Sequence, residues 1–224
     1  MVSEVKESQQ IPVSEALLAV IASLLLSLFL ANSIAGFNYG IAMVTVELTL
    51  AVVPVGYMLS KKIDIKKYIK LELNPRNILL GATVGSLLVY LDYIIMIALT
   101  SLLGQSEAVK ESNMRIAEMI SSVDGLIFVV AALISAGICE EFAFRGFLQT
   151  AISGRHSSWV ALVTSAFAFG ILLHFDPQGV YTIAAFLIGL VLGLVYHWSR
   201  SYTVCATAHA TLNLVILALL LLER

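Results

Sequence analysis

The sequence predicts an all-α fold, a polytopic transmembrane helical bundle of seven spans, eight if one is hidden, around a hydrated intramembrane cavity. Three observations carry this. Of 224 residues, 59% are hydrophobic and 12% charged, against about 25% charge in a soluble domain. Several apolar stretches exceed the ~18 residues needed to cross a hydrocarbon core. No remaining stretch is long enough for a separate soluble domain, so residues 1–224 read as a single integral-membrane domain. A net charge of −2 says little, because where the charges fall matters more than their sum; no nucleic-acid partner is expected. The bilayer itself is the first partner.

The expected spans cover residues 14–36, 39–60, 78–104, 123–150, 157–174, 179–199 and 201–222. The first is read as a span and not a cleaved signal, because its apolar run is longer than a ~7–15 residue signal core and only Lys6 precedes it. Between the second and third spans, Lys61, Lys62, Lys66, Lys67 and Lys70 alternate with apolar residues and precede Asn74-Pro75-Arg76. That pattern suits a segment lying along headgroups. Residues 105–122 predict an amphipathic helix with Met114, Ile116, Met119 and Ile120 on its apolar side. Cys139 and Cys205 both fall in apolar helices, so a structural disulfide is not indicated.

Orientation follows from the basic residues. With the loop after the second span inside, nine Lys and Arg (Lys6, Lys61, Lys62, Lys66, Lys67, Lys70, Arg76, Arg155, Arg200) are cytoplasmic and three (Lys110, Arg115, Arg224) external. This predicts a cytoplasmic N-terminus.

Charge inside the spans is the informative feature. Glu140, Glu141 and Arg145 lie in the fourth span, where each costs roughly 2.5–3.5 kcal/mol at mid-bilayer and must be paired, hydrated or employed. Glu141 and Arg145 are four apart with the acid first, the favourable order for a helical pair. Glu140 is rotated about 100° away. Glu141 is therefore assigned to the ion pair and Glu140 to chemistry. His174 ends the apolar fifth helix, and His209 and Asn213 are four apart in the seventh span. A carboxylate, an imidazole and an imidazole–amide pair from three helices suit water-activated amide hydrolysis, a base deprotonating water while donors stabilise the oxyanion.

Glu140-Glu141-x-x-x-Arg145, a Phe-rich helix ending in His174, and His209-x-x-x-Asn213, in that order, resemble the CPBP (Abi) family of intramembrane proteases. That family includes type II CAAX prenyl endopeptidases and bacteriocin-processing or self-immunity proteins. The resemblance covers roughly residues 70–222, with a catalytic core near 123–222. It implies a multi-pass endopeptidase of a prokaryotic cell membrane acting near the cytoplasmic face on a membrane-docked peptide or lipidated protein, a prenylated CAAX tail being the reference substrate. Glu140 would be the general base, His174 would help to hold the attacking water, and His209 and Asn213 would form the oxyanion hole. Arg145 would orient or neutralise the glutamate pair. No cofactor is favoured. The chain has no His-Glu-x-x-His helix, and asparagine is a poor zinc ligand. Zinc stays open as an alternative, with Glu140, His174 and His209 as its ligands.

One departure concerns the second motif, where the family has phenylalanine four residues before histidine. Here Gly170 holds that position and Phe169 is five before His174. A π-bulge near Gly170 would restore the register. A second difficulty is depth. At about 1.5 Å per residue from the presumed cytoplasmic ends, Glu140 lies roughly 20 Å deep, His174 about 26 Å and His209 about 12 Å. Rival readings keep the bundle and drop the chemistry: a structural polar knot in a scaffold or bacteriocin-immunity protein, or a proton-coupled transporter relaying through Glu47, Asp92 and Glu140. Cys205 reads as a small apolar filler, and His156 and His197 as interfacial.

Overall fold

The computed structural model describes residues 10–222, so Lys6 and Arg224 of the orientation count lie outside the described residues. The described chain is helical: α1 (Val13–Ala35), α2 (Tyr39–Ser60), a short α3 (Ile65–Tyr68), α4 (Pro75–Leu103), α5 (Glu107–Met119) and α6 (Val123–Glu141). A π-helical stretch, Phe142–Gln149, follows and leads into α7 (Thr150–Ser153). Then come α8 (Ser158–Ala168) with a π-helical end, Phe169–Leu173, α9 (Val180–Ser199) and α10 (Tyr202–Leu222). Short polar side chains start most of them. Asn38, Asn74, Ser106, Ser122 and Ser157 each accept from a backbone N–H three residues on, and Pro75 opens α4 where its missing N–H costs nothing.

Among the described residues six helices are long and apolar enough to cross a membrane, against the seven expected. The difference is the fifth expected span. Its eleven α-helical and five π-helical residues reach roughly 24 Å at 1.5 Å per residue, short of a ~30 Å hydrocarbon core. That helix ends at Leu173, directly before His174. Conversely, Val123–Ser153 runs for 31 residues, with Glu140 near its middle.

Exposed Leu25, Leu28, Phe29, Leu87, Tyr90 and Ile94 form an outward apolar belt, the surface a bilayer would cover. Inside, α10 packs between α4 and α6, α2 lies on α6, and α8 lies on α9. Close approach is built on small residues: a methyl on Gly137 would stand 2.5 Å from the Ala210 nitrogen. One end of the bundle is basic. There Ile63 and Ile69 are buried beneath α3 while Lys61, Lys62, Lys66 and Lys67 face out, as the alternating pattern predicts. At the opposite end α5 covers the bundle, with Ile116, Met119 and Ile120 packed on Val129 and Leu217. Met114 remains exposed.

Candidate active site

The ion pair forms as spacing predicts. Arg145 Nη1 donates to Glu141 Oε1 at 2.7 Å, and both side chains are fully buried. A buried pair is steadied by partners on its remaining valences; Arg145 Nε has none among the described residues, but the rest of the guanidinium is engaged. Arg145 Nη2 donates to the Gly189 carbonyl at 3.1 Å, and the guanidinium lies 4.3 Å from the centre of the Phe169 ring. Gly189 permits this grip, since a methyl there would come within 3.2 Å of both Nη2 and the Phe169 ring.

Glu141 does more than spacing alone disclosed. His209 Nδ1 is 2.9 Å from Glu141 Oε1, and Cys205 Sγ donates to Glu141 Oε2 at 2.9 Å and to the Leu192 carbonyl at 3.2 Å. Cys205 is thus a donor to a buried carboxylate and not an apolar filler, because it shares a helical face with His209 and both meet the same acid. Both oxygens of Glu141 are thus engaged by neighbouring side chains.

His174 is aimed by a π-turn and a polar loop. Residues Phe169–Leu173 are π-helical, which brings residues five apart onto one face. The Phe169 and His174 rings meet edge to face with centroids 4.5 Å apart. The expected bulge at Gly170 is present. Gly170 also allows α9 to approach, a methyl there standing 2.8 Å from the Thr182 carbonyl oxygen. Thr182 Oγ1 donates to the His174 carbonyl at 2.9 Å and accepts from Asp176 N at 2.7 Å. Asp176, buried, accepts from Ser106 Oγ at 2.9 Å and from Tyr181 N at 3.1 Å. Sequence reasoning missed Asp176 and Thr182. Their signal was a short Asp-Pro turn with a hydroxyl six residues on, directly after the histidine.

Glu140 sits where these elements converge. Its Oε2 is 3.5 Å from His174 Nε2 and 3.8 Å from His209 Nε2, beyond direct hydrogen bonds. The atom is buried without a hydrogen-bond partner among the described residues. Two adjacent glutamates therefore differ completely, one saturated and one with an oxygen free to take a proton. Asn213 lies a turn beyond His209, its Nδ2 directed to the Leu133 carbonyl at 3.4 Å.

A cavity of about 370 Å³ reaches His174, His209 and Asn213. Glu140 lies just behind the two imidazoles. The cavity runs between α4, α9 and α10 towards Val109, Asn113 and Ile116 of α5, away from the basic end. Asp92 lines it and Glu47 does not; Glu47, on α2, faces Glu140 instead. Among the described residues no three His, Cys, Asp or Glu side chains are arranged to hold a metal ion, so no step below is routed through one.

No curated protein and no solved structure matches the chain. Residues 122–215 match the family model described as type II CAAX prenyl endopeptidase Rce1-like, and that segment contains Glu140, Glu141, Arg145, His174, His209 and Asn213. At family level this supports an intramembrane protease of the CAAX type. Over residues 122–215, somewhat less than half of its length, this multi-pass membrane protein is thus similar to the type II CAAX prenyl endopeptidase Rce1-like family.

Proposed function

We propose that the protein is an endopeptidase that hydrolyses a peptide bond in a hydrophobic, membrane-docked substrate, with Glu140 as general base. The observation carrying this is the contrast between the two glutamates. Glu141 is held by Arg145, His209 and Cys205, whereas Glu140 Oε2, without a hydrogen-bond partner, faces two imidazoles from separate helices.

The chemistry balances with these groups alone. Water held between Glu140 and His174 loses a proton to the Glu140 carboxylate, and its oxygen attacks the scissile carbonyl carbon. The carbonyl electron pair moves onto oxygen. His209 keeps Nδ1–H on Glu141 and, doubly protonated, offers Nε2–H to that oxyanion; the Asn213 amide is the second donor. Collapse of the tetrahedral intermediate breaks the C–N bond, and the departing amine takes the proton that Glu140 holds. Burial of the Glu141–Arg145 pair keeps His209 from rotating away.

The cavity lining, mostly apolar with a few polar groups, suits an extended hydrophobic peptide. A prenylated CAAX tail is the reference substrate that the matched family's name supplies. The distribution of basic residues favours a cytoplasmic basic end and N-terminus, and the cavity extends the other way. The substrate accordingly enters from the α5 side, in contrast to the cytoplasmic approach expected from the resemblance.

The test is cleavage of fluorogenic lipidated and unlipidated peptides by purified protein, comparing wild type with Glu140→Ala and His209→Ala, each with and without a chelator. Wild-type cleavage that Glu140→Ala abolishes and a chelator spares is expected. His209→Ala should slow turnover by about 10²–10³. Full cellular activity in Glu140→Ala would favour a scaffold, and solute flux in proteoliposomes without cleavage a transporter.

A further inference from the structure

A second cavity, of about 320 Å³, lies at the basic end, remote from the glutamates. Lys70, Arg200, His197, Gln149, Ser153 and Ser158 line it. They come from four places in the chain: the end of the α3 loop, the end of the long fourth-span helix, the start of α8 and the turn between α9 and α10.

The two strong cations are held there deliberately. Lys70 and Arg200 both have left-handed backbones, φ 57° and 50°, a conformation that residues with a side chain seldom adopt. The turns carrying them are locked together, Tyr202 N donating to the Lys70 carbonyl at 3.2 Å. Lys70 Nζ sits 5.3 Å from the centre of the Tyr196 ring. Neither cation has a carboxylate partner among the ion pairs of the described residues. Partial burial, and then the charge of Arg200, hold the Lys70 ammonium below the ordinary lysine range, as befits two cations sharing a cleft without a counter-charge.

The remaining lining completes an anion site. Ser158 begins α8, whose N-terminal turn presents the positive end of the helix, and Ser153 adds a second hydroxyl. Gln149 is buried, its Nε2 committed to the Gly193 carbonyl at 3.1 Å and its Oε1 without a partner, leaving an acceptor for a hydroxyl. The cleft lies at the basic end, beside the ends of Val123–Ser153 and Val180–Ser199.

We propose that this cleft binds a phosphate group that carries a neighbouring hydroxyl, as found in the headgroup of an anionic glycerophospholipid or in a soluble phosphate ester. Lys70, Arg200 and the α8 N-terminus would take the phosphate oxygens, and Gln149 the hydroxyl.

The experiment uses the full chain in neutral detergent, with native mass spectrometry and thermal unfolding as readouts. Phosphatidylglycerol, phosphatidylcholine and glycerol 3-phosphate are titrated separately. Phosphatidylglycerol should bind and raise the unfolding temperature. Lys70→Gln and Arg200→Gln should each weaken it by about tenfold or more, the loss of one charge-assisted bond. Lys66→Gln and Lys67→Gln, at the same end but outside the cleft, should not, and Lys70→Arg should retain binding. Response to glycerol 3-phosphate but not to phosphatidylglycerol would uphold the site and assign it to a soluble ester. Equal binding of phosphatidylcholine, equal loss in all four Lys and Arg to Gln variants, or no loss in Lys70→Gln and Arg200→Gln would overturn the proposal.

Discussion

Exchanging either member of the glutamate pair for glutamine changes almost no volume, yet the two substitutions should fail in opposite ways. Glu141 accepts from Arg145 at 2.7 Å and Cys205 at 2.9 Å and holds His209 at 2.9 Å, all buried. Glu141→Gln leaves the Arg145 guanidinium without its counter-charge at zero exposure. Breaking a buried pair on one side costs about 3–5 kcal/mol, a large part of the total stability of a typical domain. Glu140 Oε2 has no hydrogen-bond partner to lose, so Glu140→Gln should change stability by less than about 1 kcal/mol. In rate the order reverses. Without its base the enzyme should lose about 10²–10⁴ in turnover, while the Glu141→Gln protein that does fold keeps Glu140. The assay is denaturant or thermal unfolding of both variants in one detergent, beside peptide cleavage at matched folded concentration. Equal destabilisation by the two substitutions, or cleavage by Glu140→Gln within tenfold of wild type, would refute the division of labour.

Other consequences are open to direct measurement. Gly189→Ala pushes a methyl to 3.2 Å from Arg145 Nη2 and the Phe169 ring; it should destabilise by about 1–3 kcal/mol, read as a lower unfolding temperature. Thr182→Val removes the donor to the His174 carbonyl and the acceptor for Asp176 N; about 1–3 kcal/mol should go with the unpaired N–H, and cleavage should fall more than Michaelis binding as His174 loses its aim. For sidedness, Glu118→Cys on α5 should react with an impermeant maleimide in intact cells, whereas Lys62→Cys should react only after permeabilisation. The native Cys139 and Cys205 are buried and should stay silent.

Within a single helix the sequence was highly legible. The four-residue offset between Glu141 and Arg145 translates directly into a face, and the five-residue offset between Phe169 and His174 does so through the π-turn expected near Gly170. What lies between helices was not legible. That Glu141 would anchor His209 and Cys205 from α10, or that the Gly189 carbonyl would cap Arg145 from α9, depends on which helices touch, and apolar spans of similar composition give no pairing signal. Depth reasoning failed for a related reason. It assumed straight, full-length helices rising evenly from one face, whereas the His174 helix is short and the Glu140 helix overlong with a π-helical interior. The count of seven spans is not confirmed at the same helix, because Ser158–Leu173 is apolar throughout but shorter than the other candidates.

The wide turn ahead of His174 has an evolutionary corollary. A helix that already accommodates one surplus residue can shed it: a chain one residue shorter between Phe169 and His174 would tighten into ordinary α-helix with the aromatic–imidazole contact preserved. Loss of one residue, usually ruinous inside a packed membrane helix, should thereby be tolerated here, and sequences one residue shorter there can share the same chemistry.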